Sequence, residues 1–593
     1  MPSISSLGLE EKIGQMLIVG FPAGDAGIDV LRGLVERRAA GNVIIFSRNV
    51  CEPSALRARM DEVRSIITAR TGIPPLVSVD QEGGIVARVR AGVTPIPGAM
   101  AQAAAVGSGL YGLESIRALG RIAGTELHAL GFDWNFAPDA DVNVNPANPV
   151  IGVRSYGEEA DSVAALCAAF AEGLADAGIL ATAKHFPGHG DTSVDSHLGL
   201  PLVPHSLERL DSVELVPFKR LISSGVAAVM LAHVRFPAIE REEIPATLSR
   251  KVIVGLLRER LGFKGLVTSD CMEMKAIAGR FPDAAVQAVE AGVDLLILSH
   301  TLEVQEAAAA SIAAAVRSGR IPESRIDEAV SRILSAKASL SDPPDWTRAR
   351  LAEPSSISLV EGMMSAALTV LRDGKGLPPQ AGSIYVDIEP EGLSGAELAG
   401  GEAAVGSVAA AIRALSADFE TITLAPDPDE ATRKSVLERA MAFFSRRLPR
   451  KIRDSEVGTG DQTEACDIGN RADGTFGEDT RELDRKKAIP GLVFGSHNAK
   501  SNPGQVALAR DLAALCAAHG RPFALVSMRS PYDGPFLEAA IGRPIPTLCS
   551  YEYTPLAARR VALYLSGGAE APGTAPVTAY RKPECLAAQG DNA

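Results

Sequence analysis

The chain has 593 residues, too many for one hydrophobic core, so two or more domains are expected. Apolar residues make up 46% and charged residues 22%, the balance of a globular protein, and a formal net charge of −13 argues against nucleic acid as a partner. No apolar run is long enough for a membrane span, residues 1–12 carry neither a basic nor an apolar leader, and seven scattered Cys include no CxxC pair; together these predict reduced thiols and a cytoplasmic protein.

In chain order, short apolar, β-branched runs recur at 16–21, 42–47, 76–80, 132–137, 179–183, 227–232, 265–269 and 293–299. Stretches of helical character separate most of them, such as 164–178 and 251–261, and another follows at 324–337. Near-continuous apolar strands alternating with helices indicate parallel strands covered on both faces. Eight such units predict an N-terminal (β/α)8 TIM-type barrel over 1–340. A doubly wound open sheet is the rival, but no Gly-rich phosphate fingerprint follows the first strand. Polar residues end several of the runs: Asp80, Lys184 with His185, His233, Asp270, and Ser299 with His300. A barrel places its chemistry at that end of its strands.

A Pro-rich polar stretch at 341–356 reads as a linker. Beyond it, strand signals at 383–388, 420–425, 492–496, 523–528 and 546–550 alternate with Ala-rich helices. They predict a smaller α/β sandwich domain over 357–580. Residues 445–487, charged and Gly-rich, read as an exposed insertion of no assigned function, and 581–593 as a loose tail.

The densest chemistry lies at 184–197, Lys-His-Phe-Pro-Gly-His-Gly-Asp-Thr-Ser-Val-Asp-Ser-His. Pro187, Gly188 and Gly190 exclude a helix and describe a bent loop. Asp195 and His197 are two apart, and in an extended segment they point the same way, so a carboxylate can hold an imidazole in one tautomer and raise its basicity. The other reading is a turn-stabilising Asp beside an incidental His. His185, His189, Asp191 and His197 could ligate a metal, but no HExxH-type spacing is present and Lys184 adjoins them, so no metal is expected. Asp270, at the end of the seventh run, is either an N-cap for the next helix or a nucleophile toward an anomeric carbon. Asp80 and Arg88 either close a turn or bind sugar hydroxyls and an amide. Asp139 and Asp141 order a loop, and His233 is either a satisfied structural histidine or a ligand-binding one.

Four stretches together resemble glycoside hydrolase family 3, and specifically its β-N-acetylglucosaminidase subgroup. They are Glu-Glu-Lys-Ile-Gly-Gln-Met-Leu-Ile-Val-Gly-Phe at 10–21, Asp-Gln-Glu-Gly-Gly-Ile-Val-Ala-Arg at 80–88, the run from Asn135-Phe-Ala-Pro to Arg154-Ser-Tyr-Gly, and the loop at 184–197, the most diagnostic of them. The resemblance implies Asp270 as the nucleophile that forms a covalent glycosyl-enzyme, His197 as acid/base and Asp195 as its dyad partner. It also implies substrate contacts from Asp80, Arg88, Arg154, Lys184 and His185. This subgroup uses a histidine where most retaining glycosidases use a second carboxylate. Residues 528–533 and 550–555 are similar to the family's second domain, which shorter members of the subgroup lack.

The function implied is retaining hydrolysis of terminal, non-reducing β-linked N-acetylglucosamine, without metal or organic cofactor, in cell-wall recycling. The partner is a small carbohydrate: an N-acetylglucosaminide, whether a muropeptide or a chitooligosaccharide. The rivals are a β-N-acetylglucosaminide phosphorylase that uses phosphate in place of water, a β-glucosidase of the same family, and a non-catalytic sugar-binding protein.

Overall fold

The eight apolar runs of the first 300 residues become eight parallel strands: β1 (Leu17–Val19), β2 (Asn42–Ile45), β3 (Leu76–Val79), β4 (Trp134–Asn135), β5 (Leu180–Phe186), β6 (Ala228–Leu231), β7 (Leu266–Cys271) and β8 (Leu295–Leu298). The computed structural model describes residues 2–193, 199–374, 376–389, 405–415, 417–446 and 489–580. Each strand pairs with its neighbours in sequence, and β1 pairs with β8 at Leu17↔Leu296 to close a barrel. The strand residues of β1 to β4, β6 and β8 are buried throughout, as strands covered by side chains inside and helices outside must be.

The outer helices show why these sequences wind. Ala160–Asp176 buries Val163, Leu166, Cys167, Phe170 and Leu174, a stripe at helical spacing, and Glu323–Ser339 buries Ile326, Val330, Ile333 and Leu334 in the same way. The stretch 251–261, expected to have helical character, is wound as a π-helix over Lys251–Arg260. The fourth strand is two residues long where the six-residue run 132–137 predicted more; Pro138 stands three positions beyond its end.

Between β3 and β4 the chain departs from a bare barrel. A two-stranded hairpin, Gln81–Gly83 with Val86–Ala87, rises directly from the end of β3. Gly84 at its turn has φ +54, and a Cβ there would lie 2.7 Å from Gly98 Cα, so only glycine lets the hairpin close onto residues 96–98.

The second sheet has six strands: β9 (Thr369–Arg372), β10 (Ser383–Ile388), β11 (Phe419–Leu424), β12 (Leu492–Ser496), β13 (Phe523–Ser527) and β14 (Thr547–Cys549). Their order is β9-β14-β13-β12-β10-β11, parallel except for β9, which runs antiparallel to β14 at one edge. The edge strand β9 was not among the expected strands. Alternate residues serve two cores. Ile384, Val386, Leu492 and Phe494 pack into a cluster of their own, whereas Tyr385, Val493, Val526 and Leu548 join the cluster that includes the barrel. The barrel and one sheet face therefore share a core.

The expected insertion falls almost entirely on 447–488 and the tail on 581–593, outside the described residues. No helix among the described residues is long and apolar enough to cross a membrane.

Candidate active site

At the C-terminal end of the barrel strands lies a cavity of about 320 Å3, at the lower end of the usual range for small-ligand sites, about 300–1,000 Å3. Six of the eight residues expected to bind or react with substrate line it together: Asp80, Arg88, Arg154, Lys184, His185 and Asp270. Val194 to Leu198, and with them Asp195 and His197, lie outside the described residues.

One half of the cavity is a buried ion network. Lys184 Nζ, at the end of β5, sits 2.9 Å from Asp80 Oδ1 and 2.6 Å from Glu82 Oε1. Arg154, brought in on a short 3-10 turn, grips Glu82 with Nε at 2.9 Å and Nη2 at 2.7 Å, the bidentate fork that a guanidinium forms best. Arg88 Nη2 lies 3.8 Å from Asp80 Oδ2. Gln81 fixes the Arg88 backbone by accepting the Arg88 and Val89 N–H groups on Oε1 at 2.8 and 3.0 Å. Burial opposes the charge on Glu82, but the Arg154 and Lys184 cations outweigh it and hold its carboxyl well below the usual range. Burial likewise opposes the charge on Lys184, and Asp80 and Glu82 reverse the effect, so the ammonium persists. Of this group only Asp80, its side chain 18% exposed, offers appreciable carboxylate surface to a ligand. Glu82 has no role assigned from the sequence; the available signal is an acid three positions past the end of β3, inside the Gly-closed turn between Asp80 and Arg88.

Behind this network the loop after β4 supplies Asp139 and Asp141, both buried. Asp141 Oδ2 accepts from His185 Nδ1 at 2.8 Å, and Asp141 Oδ1 accepts the His189 N–H at 2.6 Å. Burial pulls the His185 imidazole down to about 4, so it is neutral near pH 7. With Nδ1–H committed to Asp141, Nε2 is left as an acceptor on a ring that lines the cavity. Burial, with Asp141 beside it, pushes Asp139 up to about 8. Ligand atoms of Asp139, Asp141 and His185 lie within 4.8 Å of one another, close enough to hold a cation. The Arg154 guanidinium, 3.5 Å from Asp139 Oδ2, already supplies positive charge there, so the donor set fits a divalent ion poorly. The metal set considered in the sequence differs from this one: His189 Nδ1 faces Thr192 Oγ1 at 2.8 Å, and Asp191 Oδ2 faces His205 Nε2 at 2.5 Å.

The loop that carries His189 is seated by Gly190, whose Cβ would fall 1.9 Å from the Val142 carbonyl oxygen. No side chain could approach the loop at Val142 so closely.

Asp270 stands across the cavity on β7. Its Oδ1 accepts the Cys271 N–H at 2.6 Å, and the following residues form turns, with the next helix delayed to Ala284–Ala291. Asp270 is therefore not a helix N-cap. Beyond it, Phe46, Glu273, Met274, Lys275 and His300 form the remaining wall. His300 stacks on Phe46 with centroids 5.2 Å apart, and Arg48 Nη1 donates to His300 Nδ1 at 3.2 Å. Of these only His300 is marked in the sequence, by its place at the end of an apolar run. His233 does not line the cavity; its Nδ1 meets Thr247 Oγ1 and its Nε2 the Cys271 carbonyl, the satisfied structural histidine of the two readings.

A carboxylate facing a fixed set of cations, a second carboxylate and a neutral imidazole across a monosaccharide-sized cavity suits sugar binding and attack at an anomeric carbon. The comparisons agree with that chemistry. Residues 8–336 match the model of the glycosyl hydrolase family 3 N-terminal domain. Beta-hexosaminidase A of Pseudoalteromonas piscicida is 31% identical over 413 residues, covering 63% of this chain and 68% of that protein. The beta-hexosaminidase of Methylococcus capsulatus is 39% identical over 267 residues, 45% of this chain and 77% of its own length. Among solved structures, a family 3 beta-N-acetylglucosaminidase from Paenibacillus sp. FPU-7 superposes with a TM-score of 0.79 at 37% identity, covering 97% of this chain and 99% of that one. With its barrel matched end to end and its second domain covered as well, the chain belongs to glycosyl hydrolase family 3 and is a glycosidase.

Proposed function

We propose that the chain removes terminal, non-reducing β-linked N-acetylglucosamine with retention of configuration. One observation carries the reading: Asp270 shares a single cavity with Asp80, Arg88, Arg154, Lys184 and His185 at the C-terminal mouth of the barrel. The names of the relatives, beta-hexosaminidases and a beta-N-acetylglucosaminidase, supply the substrate class.

In this mechanism the sugar hydroxyls are held by Asp80, Arg88, Lys184, Arg154 and the Nε2 acceptor of His185. An Asp270 oxygen attacks the anomeric carbon as the glycosidic C–O bond breaks, and His197, oriented by Asp195, gives its proton to the departing oxygen. His197 then takes a proton from water, which displaces the Asp270 carboxylate and frees the sugar with its β configuration. Both halves of the dyad come from the resemblance of 184–197 to the subgroup's loop. A disaccharide or muropeptide fragment of cell-wall turnover, or a chitooligosaccharide, is the natural substrate class in this reading.

Turnover of an aryl β-N-acetylglucosaminide with and without phosphate tests it, with the first-formed product identified. The expected product is β-N-acetylglucosamine at a phosphate-independent rate. The α-anomer would overturn retention, sugar 1-phosphate would make the enzyme a phosphorylase, and preference for the plain glucoside would make it a β-glucosidase.

A further inference from the structure

We propose that Glu552, a residue of the second domain, is a positioning residue for the sugar-binding hairpin of the barrel. The segment after β14 runs Ser-Tyr-Glu-Tyr-Thr at 550–554, with Tyr551 at φ 62 and both tyrosines buried, and it leads into the helix Pro555–Leu565. Its geometry drives the Glu552 side chain, 2% exposed, into the barrel. There Oε2 accepts the Gly98 N–H at 2.6 Å, while Oε1 accepts from Thr554 Oγ1 at 2.5 Å.

Gly98 is the N-cap of the helix Ala99–Gly107, and no side chain of the barrel caps it. The Glu552 carboxylate takes that place from another domain, where a helix N-terminus favours negative charge. Thr574 secures the other end, its N–H donating to the Ala104 carbonyl at 3.2 Å and its hydroxyl to the Gly107 carbonyl at 2.9 Å. The second domain thus clamps this helix at both termini.

Two substrate-binding segments rest on the clamped helix and on the residues that lead into it. Gly84, at the turn of the 81–87 hairpin, donates its N–H to the Ile96 carbonyl at 2.8 Å, and a Cβ on it would lie 2.9 Å from Glu552 Oε2. That hairpin carries Glu82 and leads into Arg88. Tyr156, two residues past Arg154, donates its hydroxyl to Gln102 Oε1 of the helix at 3.2 Å. Glu552 is buried without a cation at ion-pair distance among the described residues, and burial raises its pKa. A carboxyl left in such a place costs stability unless its hydrogen bonds are specific. Fixing the hairpin is the return the geometry offers, and it gives the second domain a role at a cavity lined by barrel residues. The inference rests on the sugar-binding reading of Asp80, Arg88 and Arg154.

The experiment uses the full-length chain as wild type, Glu552→Ala and Glu552→Gln. Amide hydrogen exchange over 81–98 is measured beside KM and kcat for a nitrophenyl β-N-acetylglucosaminide. Loss of a hydrogen bond to a charged acceptor corresponds to roughly a tenfold change or more, so Glu552→Ala should speed exchange in 81–98 by about tenfold and raise KM by a similar factor, with kcat affected less. Glu552→Gln keeps a carbonyl oxygen for Gly98 and should return both within about twofold of wild type. Unchanged exchange over 81–98 in Glu552→Ala would overturn the inference, as would equal acceleration in every peptide. Should Glu552→Ala fail to fold, Glu552→Asp, one methylene short of Gly98, provides the same comparison. A wild type inert toward the glycoside would defeat the reading of the site, and the exchange data would still decide the role of Glu552.

Discussion

His233 Nε2 donates to the Cys271 carbonyl at 3.0 Å, which ties the end of the sixth barrel strand to the residue immediately after Asp270. A carbonyl oxygen can only accept, so Nε2 carries a proton, and Nδ1 meets Thr247 Oγ1 at 2.7 Å. The imidazole thus spans from Thr247 to the last residue of β7.

Removing that imidazole should misplace Asp270 without touching the sugar contacts. We expect His233→Ala to lower kcat on an aryl N-acetylglucosaminide by about 10–100-fold, the scale on which a misplaced reacting group loses rate, with KM changed little. Steady-state kinetics check it. An unaltered kcat would mean that β7 holds its shape alone.

Asp270→Ala should nearly abolish turnover, because no bond to the anomeric carbon can then form. His197→Ala should behave differently. A nitrophenolate leaves without protonation, whereas a sugar alkoxide does not, so the variant should lose far more rate on a disaccharide than on the nitrophenyl glycoside. Equal losses on both substrates would argue against proton donation by His197.

Glu82 and Asp80 make a contrasting pair. Glu82 is buried between Arg154 and Lys184, so Glu82→Ala takes the bidentate partner from the Arg154 guanidinium, leaves Lys184 with Asp80 alone, and should cost about 3–5 kcal/mol of stability, the penalty for breaking a buried pair from one side. Asp80→Ala leaves Lys184 still paired with Glu82 and removes a carboxylate that faces the cavity. It should cost less in stability and show its effect chiefly as a raised KM. Urea unfolding beside steady-state kinetics separates the two, and a larger stability loss from Asp80→Ala would reverse the assignment.

These pairs also show what the sequence could disclose. Eight apolar runs with polar ends located the barrel and put Asp80, Lys184, His185 and Asp270 at one mouth, because strand ends in a barrel converge whatever the loops between them do. The partners those residues found were not visible. Glu82 meets Arg154 across 72 positions, and Asp141 meets His185 across 44, separations at which no local periodicity carries information. Asp139 and Asp141 read as loop-ordering residues, and they do order a loop, but the buried Asp141 carboxylate also fixes the tautomer of an imidazole in the cavity. In the second domain the strand pattern was plain, while the edge strand β9, part-buried along most of its length, lacked the apolar alternation that marks a strand. Gly98 and Glu552 are 454 positions apart, and nothing short of coordinates joins them.

Lys337 offers a prediction in pH rather than rate. It lies on Glu323–Ser339, the last helix of the barrel, with Nζ donating to Gln15 Oε1 at 2.7 Å and to the Gly41 carbonyl at 3.1 Å. A neutral amine has two hydrogens to give, and both are used. Burial pulls its pKa down to about 7, far below the ordinary value of about 10.4. Between those two values the unfolded chain binds a proton that the folded chain does not, so stability rises with pH across that window, and below it the cost of burying the cation is fully present. Lys337→Met fills similar volume and has nothing to protonate. The difference in urea midpoint, variant minus wild type, should therefore be largest near about pH 6 and shrink steadily toward about pH 9. A difference that stayed flat across that range would show that Lys337 keeps its proton in the folded barrel.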